Sequence, residues 1–362
     1  MKGRGEVIGG YRLTTDPTND GGGKCMWAFA EKDDRQYFLK RFLDPKRPRE
    51  GSGGNAERRR LRLQECEEFE RRHTSIMERL PHDIPGGGNL VLAVDFFCEG
   101  STYYKVTERI ETSSLEHPER LGSEHKAVLL RTLALSVRLL HDIDIVHGDL
   151  KAGNVLVQKR RGSPFHVAKL IDFDDSYLSG MPPERDVIGG DPVCGAPEWR
   201  RYIQHDEDVR PEHLTTASDM FAVGLLTHYY LTGSLPGHDK RYEFAADAVN
   251  AGAGLRIDDR LSPAMRGLIQ AMTARSPGAR PKITPFIDAL KVPGICVIDS
   301  AEPVTNSPSV TTVTPAGATA SQATSRVKFN LNGSTPKMPP APPSTGRSGV
   351  SRVRINMKRP EA

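Results

Sequence analysis

Cysteine is sparse in this sequence, and long apolar runs are missing from it. The five cysteines, at positions 25, 66, 98, 194 and 296, are scattered and form no Cys-x-x-Cys pair. This usage offers no zinc or disulfide framework and suits a reducing compartment. No run approaches the ~18 apolar residues that a membrane-spanning helix needs. We therefore expect a cytoplasmic protein with no membrane partner.

A secretory signal and a basic nucleic-acid-binding face are missing as well. The first residues, MKGRGE, have no apolar stretch behind their basic residues, so we expect no signal peptide. The formal net charge is +4, but residues 300–362 carry eight Lys or Arg against two Asp or Glu, a net of +6. Residues 1–299 therefore have a net charge of −2, and we expect no specific nucleic-acid partner.

The composition changes near residue 297. Between positions 300 and 362 there are seventeen Ser or Thr and nine Pro, with hardly any aromatics, which predicts a disordered tail over 296–362. Its Ser/Thr density suggests autophosphorylation. Residues 326–331 and 352–357 both alternate basic and apolar residues; they are either docking strands for a partner's sheet edge or a chance pattern in a linker.

An ordered set of polar residues stands in the middle of the chain. Residues 147–154 read HGDLKAGN, and residues 172–174 read DFD. An Asp, a Lys, an Asn and a second Asp in this order can place one carboxylate at an attacking hydroxyl and two oxygen ligands on magnesium. The pattern predicts phosphoryl transfer rather than a solvated acidic surface.

These segments resemble the catalytic loop and metal-binding segment of eukaryotic-type (Hanks-type) serine/threonine protein kinases, H-R-D-x-K-x-x-N followed by D-F-G. Further motifs follow in kinase order, including APE at 196–198, SDMFAVG at 218–224 and the late Arg280, which the resemblance pairs with Glu198. The resemblance implies an α+β, two-lobed fold. We expect a disordered lead over 1–10, a β-rich N-lobe over 11–110 and a mostly helical C-lobe over 111–295.

The resemblance also implies a role for each matching residue. Asp149 would orient the attacking hydroxyl and accept its proton, and Lys151 would contact the transferred phosphate. Asn154 and Asp172 would hold Mg²⁺, with Mn²⁺ as an alternative. Lys40, at the end of a predicted hairpin strand, would hold the α/β-phosphates of ATP. The implied activity is transfer from ATP to Ser/Thr hydroxyls of protein substrates.

The remaining ATP contacts are expected in the N-lobe. The cluster of Gly21, Gly22 and Gly23 would cover the phosphates, although only Gly22 keeps the register of G-x-G-x-x-G. Residues 106–110 resemble the hinge.

In that hinge Thr107 would lie at the back of the adenine pocket, while the backbone of Glu108 and Ile110 would bind the purine. Apolar spacing predicts a long helix over 56–80, which would supply the partner of Lys40. The candidates are Glu70 and Glu67, and the spacing also allows His73.

Three residues depart from the family pattern. Gly148 replaces the Arg that receives an activation-loop phosphate, so we predict activity that does not require loop phosphorylation. Asp174 replaces the Gly of D-F-G, which implies either restricted flipping of this segment or an extra acidic group near the metals. Asp191 stands where a Thr usually bridges the catalytic Asp and Lys, and it can form a salt bridge with Lys151.

Two alternative functions stay open at this stage. A pseudokinase scaffold that signals by docking is favoured by the altered glycine cluster, Asp174 and Asp191, and opposed by the intact Lys40 and Asp149. A small-molecule kinase of the same superfamily is also consistent with HGD and DFD. The APE segment and the late arginine favour a protein substrate instead.

Overall fold

The structure is a computed structural model that describes residues 3–20, 23, 25–49, 55–112, 115, 117–159 and 162–299. The predictions for Gly21, Gly22 and most of the tail, including its two alternating stretches, lie outside these residues. Within them, the two-lobed α+β fold is confirmed.

The N-lobe is built on one antiparallel sheet. Its six strands in the described residues are β1 (Val7–Ile8), β2 (Tyr11–Leu13), β3 (Cys25–Lys32), β4 (Arg35–Phe42), β5 (Ala93–Glu99) and β6 (Thr102–Glu108), in the spatial order β1-β2-β3-β4-β6-β5. Side chains alternate between the two faces. Ala28, Ala30 and Leu39 are fully buried on one face. Trp27 and Lys40, which pair across β3 and β4, line a cavity on the other.

The prediction of a disordered lead over 1–10 is wrong for its second half. Val7–Ile8 pairs with Tyr11–Leu13, and Ile8 is only 2% exposed. Gly9 and Gly10 have φ angles of 56° and 84°, which permit a two-residue hairpin turn. The Gly-Gly pair between two apolar runs was the signal for this hairpin.

The long helix α1 (Ala56–Arg79) matches the predicted span closely. Asn55 caps it by accepting a hydrogen bond from the Glu57 backbone N–H at 2.9 Å. Only a narrow stripe of α1 is buried, consisting of Cys66, His73 and Ile76. Of the residues of α1, Ile76 and Met77 line the cavity.

The C-lobe is mostly helical and packs around α2. Its helices are α2 (Ser123–Asp142), α3 (Pro197–Ile203), α4 (Ala217–Thr232), α5 (Ala245–Asn250), α6 (Pro263–Met272) and α7 (Ile283–Ala289). Two short antiparallel strand pairs accompany them: β7 (Ile145–Val146) with β10 (Tyr177–Leu178), and β8 (Val155–Lys159) with β9 (His166–Leu170). Residues 147–154 therefore form the connection between β7 and β8. No helix in the described ranges has the length and apolarity needed to cross a membrane.

A buried ion pair braces the C-lobe. The two terminal nitrogens of Arg280 each donate to a different carboxylate oxygen of Glu198 at 2.7 Å, as the sequence led us to expect. The Ser218 hydroxyl donates to the same carboxylate, also at 2.7 Å. Because both charges are almost completely buried, this two-point pairing is needed to offset their desolvation.

Candidate active site

Asp219, at the start of α4, anchors the loop over 147–154. The Asp219 carboxylate accepts hydrogen bonds from the backbone N–H groups of His147 at 2.8 Å and Gly148 at 3.2 Å. The His147 side chain is fully buried and its Nε2 donates to the Ile171 carbonyl at 3.1 Å. Asp219 and His147 thus position the loop and do not face the cavity.

Gly148 has a backbone that a side chain would not tolerate. Its φ is +79°, and a Cβ at this position would lie 2.5 Å from the carbonyl oxygen of Asp175. The arginine that the family places here would therefore need a different path of the neighbouring segment. The backbone conformation at Gly148 therefore accounts for the absence of that arginine.

Asp149 lies at the centre of a small polar network. Lys151 Nζ is 2.7 Å from its Oδ2, and the Asn154 side-chain amide donates to the same oxygen at 2.8 Å. Its Oδ1 is buried and has no hydrogen-bond partner among the described residues. Burial raises the pKa of Asp149, while Lys151 acts in the opposite direction. A carboxylate with one free oxygen and a raised pKa is suited to accept a proton.

Asp191 approaches Lys151, in agreement with the interpretation from the sequence. The shortest distance from its carboxylate to Lys151 Nζ is 3.7 Å. The other oxygen of Asp191 accepts from the backbone N–H of Val193 at 2.8 Å. Lys151 is therefore held between two carboxylates, Asp149 and Asp191.

Asn154 and Asp172 present the donor types that a hard cation prefers. Asn154 Nδ2 also donates to the Asp149 carbonyl at 2.8 Å, so its amide nitrogen, and not its oxygen, faces Asp149. Asp172 has a φ of +64° and a partly exposed carboxylate. An amide oxygen and a carboxylate are oxygen ligands of the kind that Mg²⁺ takes together with substrate phosphates. The residues present therefore fit such a metal.

A cavity of about 960 Å³ lies next to these groups. Thr107, Glu108 and Ile110 line it, so the structure brings the predicted hinge residues to the same space as Lys40 and Asp172. Three aromatic residues that sequence reasoning did not assign also line it: Trp27, Phe29 and Phe38. Trp27 and Phe38 stack with ring centroids 5.3 Å apart. The signal in the sequence that could have identified them is their alternate spacing, which places them on the same face of two paired strands as Lys40.

Of the glycine cluster, the structure describes only Gly23. It has a φ of +57° and is exposed. Phosphate cover by this cluster stays a prediction.

The predicted partner of Lys40 on α1 is wrong. The Glu70 carboxylate contacts Arg47 and accepts a hydrogen bond from the Tyr103 hydroxyl at 2.6 Å. Glu67 is exposed. The residue that α1 buries beside Asp174 is His73, one helical turn after Glu70, because the buried stripe runs through Cys66, His73 and Ile76.

Lys40 instead contacts the two carboxylates of the DFD segment. Its Nζ lies 2.9 Å from both oxygens of Asp172 and 2.5 Å from Oδ2 of Asp174. Lys105 of β6 donates to Oδ1 of Asp174 at 2.7 Å, and His73 Nε2 is 3.6 Å from that oxygen. Burial opposes ionisation of Asp174, but Lys105 and Lys40 outweigh it and hold the pKa of Asp174 well below its usual range.

Comparison with known proteins identifies one family for this chain. The family model described as "protein kinase domain" matches residues 60–290. The chain is 31% identical over 147 residues to the serine/threonine-protein kinase pkn3 of Myxococcus xanthus, which is 39% of this chain and 26% of that protein.

It is 28% identical over 178 residues to the calcium/calmodulin-dependent protein kinase type I of Schizosaccharomyces pombe, 48% of this chain and 50% of that protein. The matches span half or less of these relatives' length. The chain belongs to the protein kinase domain family.

Proposed function

We propose that this chain is an ATP- and Mg²⁺-dependent serine/threonine protein kinase. The observation that carries the proposal is the free, buried Oδ1 of Asp149, in a carboxylate oriented by Lys151 and Asn154 beside a cavity that contains Lys40 and Asp172. Phosphoryl transfer requires alignment and charge compensation more than covalent participation by the protein. These residues supply both.

Each residue has a defined part in this chemistry. Asp149 accepts the proton of the attacking hydroxyl at Oδ1 and orients that hydroxyl. Lys151, held between Asp149 and Asp191, places a positive charge beside the transferred group. Asn154 and Asp172 would hold Mg²⁺, which when bound neutralises charge on the phosphates. Lys40 provides the cation for the remaining phosphate oxygens.

A protein substrate is supported by two observations. The relatives with the matching domain are named as protein kinases, and the chain has both Lys151 and the Glu198–Arg280 pair that the protein-directed branch of the resemblance implies. Autophosphorylation of residues 300–362 and docking through that segment remain proposals outside the described residues.

Activity without loop phosphorylation is part of the proposal. The Ser176 side chain is fully buried and its hydroxyl donates to the His147 carbonyl at 3.0 Å. Tyr177 is 3% exposed, and the Ser179 hydroxyl accepts from the Thr216 N–H at 3.3 Å. These hydroxyls are already used in the fold, and the backbone of Gly148 leaves no room for a phosphate-binding arginine.

The test of kinase activity is phosphate transfer from Mg·ATP to a degenerate Ser/Thr peptide library and to the chain itself. Asp149→Asn should reduce the rate by about 10²–10⁴-fold, the usual size of general-base catalysis. Asp208→Asn, which changes an 89% exposed carboxylate, is the matched control and should keep the wild-type rate. Equal rates for the wild type and Asp149→Asn would contradict the proposal, and transfer only to small alcohols would favour a small-molecule kinase.

The independence from loop phosphorylation needs its own measurement. Protein treated with a phosphatase, which is then removed, should show the initial velocity of untreated protein with no lag phase. Intact-mass analysis of both samples establishes their phosphate content. A lag that disappears as Ser176, Tyr177 or Ser179 becomes phosphorylated would disprove this part.

A further inference from the structure

We propose that Asp174 is the residue that positions Lys40, in the place of the helix glutamate used elsewhere in the family. This inference deepens the proposed function and rests on it. In protein kinases an ion pair between the strand lysine and a glutamate of the long N-lobe helix must be in place for activity. Here the residue that α1 brings close to this cluster is His73, whose Nε2 is 3.6 Å from Asp174, and an imidazole cannot supply the negative charge that Lys40 requires.

The geometry assigns this charge to Asp174. Lys40 Nζ contacts both Asp172 and Asp174. Asp172 is the carboxylate that the proposed function uses for the metal, so Asp174 is the one that remains for Lys40. The side chains of Lys40 and Asp174 are similarly buried, 15% and 14% exposed, whereas that of Asp172 is 33% exposed. The deeper carboxylate is therefore structurally suited to hold the lysine.

His73 connects α1 to this pair without contributing a carboxylate. Its Nδ1 donates to the Phe69 carbonyl at 2.9 Å, and its ring stacks on Phe96 with centroids 5.0 Å apart. The opposite ring nitrogen faces Asp174. The helix thus touches the counterion of Lys40, while the charge itself comes from the segment after β9.

Lys105 further stabilises Asp174 in its position beside Lys40. It is 7% exposed, and Asp174 is the carboxylate that it contacts. Movement of Asp174 out of the site would leave the buried ammonium group of Lys105 without that counterion and would remove one of the two carboxylates from Lys40, which is strongly unfavourable. Asp174 therefore ties β4 and β6 to the segment that carries Asp172, and it does so independently of any acidic residue on α1.

The test is whether one substitution, His73→Glu, has opposite effects on kcat/KM in two backgrounds. Asp174→Gly restores the residue of D-F-G but removes the counterion of Lys40. His73→Glu restores a helix carboxylate. In the wild-type background His73→Glu should reduce kcat/KM for ATP, because two carboxylates would compete for one site. In the Asp174→Gly background the same change should increase kcat/KM.

The expected sizes follow from the effect of a misplaced catalytic group. Asp174→Gly should reduce kcat/KM for ATP by about 10²-fold, and adding His73→Glu should recover about tenfold of it. The melting temperature of the nucleotide-free proteins should follow the same order, wild type highest and Asp174→Gly lowest. Thr74→Glu adds the same charge on the exposed face of α1 and should rescue nothing.

Asp174→Asn preserves the side-chain volume and covers the case in which the glycine variants do not fold. It should lose kcat/KM nearly as strongly as Asp174→Gly. A folded Asp174→Asn protein with wild-type kcat/KM would overturn the inference, as would a folded double variant no better than Asp174→Gly. If the wild type transfers no phosphate, the proposed function fails, and the nucleotide-free melting temperatures alone decide whether Asp174 and a glutamate at position 73 are interchangeable.

Discussion

Two buried ion pairs can be compared, one inside the C-lobe and the other between the N-lobe and the C-lobe. Glu198 and Arg280 in the C-lobe are the residues that the family pattern assigns, and they are joined by two 2.7 Å hydrogen bonds. Lys40 of β4 is the lysine that the family pattern assigns, but its carboxylate partners are Asp172 and Asp174 and not a residue of α1. The first pair is fixed by its two-point hydrogen bonding, whereas Lys40 receives negative charge from a different element than the family pattern assigns.

The surroundings of the two pairs explain this difference. The Arg280 side chain is 0% exposed and Glu198 is 5% exposed, so each depends entirely on the other for its charge compensation. The Lys40 pair lies at the edge of a cavity, with Asp172 33% exposed. We therefore call the Lys40 pair the open pair and the Glu198–Arg280 pair the closed pair.

The largest expected effect comes from breaking the closed pair. Arg280→Met leaves the buried carboxylate of Glu198 without its cation and should reduce the free energy of unfolding by about 3–5 kcal/mol. Arg200→Met is the matched control, since its pair with Asp247 is 20% exposed on each side and should cost about 1 kcal/mol or less. Urea denaturation of both variants measures the difference, and equal losses would show that burial does not separate the pairs.

The next largest effect tests how firmly the C-lobe fixes the catalytic loop. Gly148→Ala must adopt a φ of +79° and place its Cβ against the Asp175 carbonyl. We expect a loss of about 1–3 kcal/mol in unfolding free energy. Gly267→Ala, inside α6 with nothing within 4 Å of the new Cβ, should instead gain up to about 1 kcal/mol. If Gly148→Ala changed the unfolding free energy by the same amount as Gly267→Ala, the loop would be less constrained than its contacts indicate.

The pKa of Asp175 is shifted in the opposite direction to that of its neighbour Asp174, and the pH dependence of stability tests this difference. Burial and the carboxylates of Asp149 and Asp174 raise the pKa of Asp175 to about 6. An acid with a raised pKa contributes stability below its unfolded pKa of about 3.9, and this contribution is lost as pH rises through 6. Asp175→Asn should therefore raise the melting temperature at pH 8, worth about 1–2 kcal/mol, and show no gain near pH 4. Metal-free melting curves across this range provide the check, and a pH-independent difference would contradict it.

The smallest effect should come from Lys105. Lys105→Met removes one of the two lysines on Asp174 but leaves Lys40 in contact with it. Because Lys40 still compensates the charge of Asp174, we expect a loss of only about 1 kcal/mol in unfolding free energy, well below the ~3–5 kcal/mol of a buried charge left without its partner. We expect kcat/KM for ATP to stay close to that of the wild type. A loss as large as that of Asp174→Gly would show that Asp174 serves Lys105 rather than Lys40.

The ordered motifs were readable from the sequence because they depend on local spacing. The hairpin ending at Lys40, the helix over 56–80 and the loop over 147–154 each follow from a periodicity or a motif confined to one segment. The hairpin at Val7–Ile8 was missed although its Gly-Gly signal was present. Local patterns therefore predicted the lobes, the family and the loop in which Asp149 meets Lys151 and Asn154.

The partners of the buried charges were not readable in the same way. Lys40 and Asp174 are 134 positions apart, and nothing in the spacing of α1 distinguishes Glu70 from His73 as the residue that faces them. The choice depends on how α1 is rotated against the sheet, which Cys66, Ile76 and their neighbours decide by packing.

The kinase fold and the placement of Asp149, Lys151 and Asn154 in one loop follow from motifs that are local in the sequence. The carboxylate that Lys40 meets does not, because a contact between β4 and the segment after β9 exists only once the lobes have packed together.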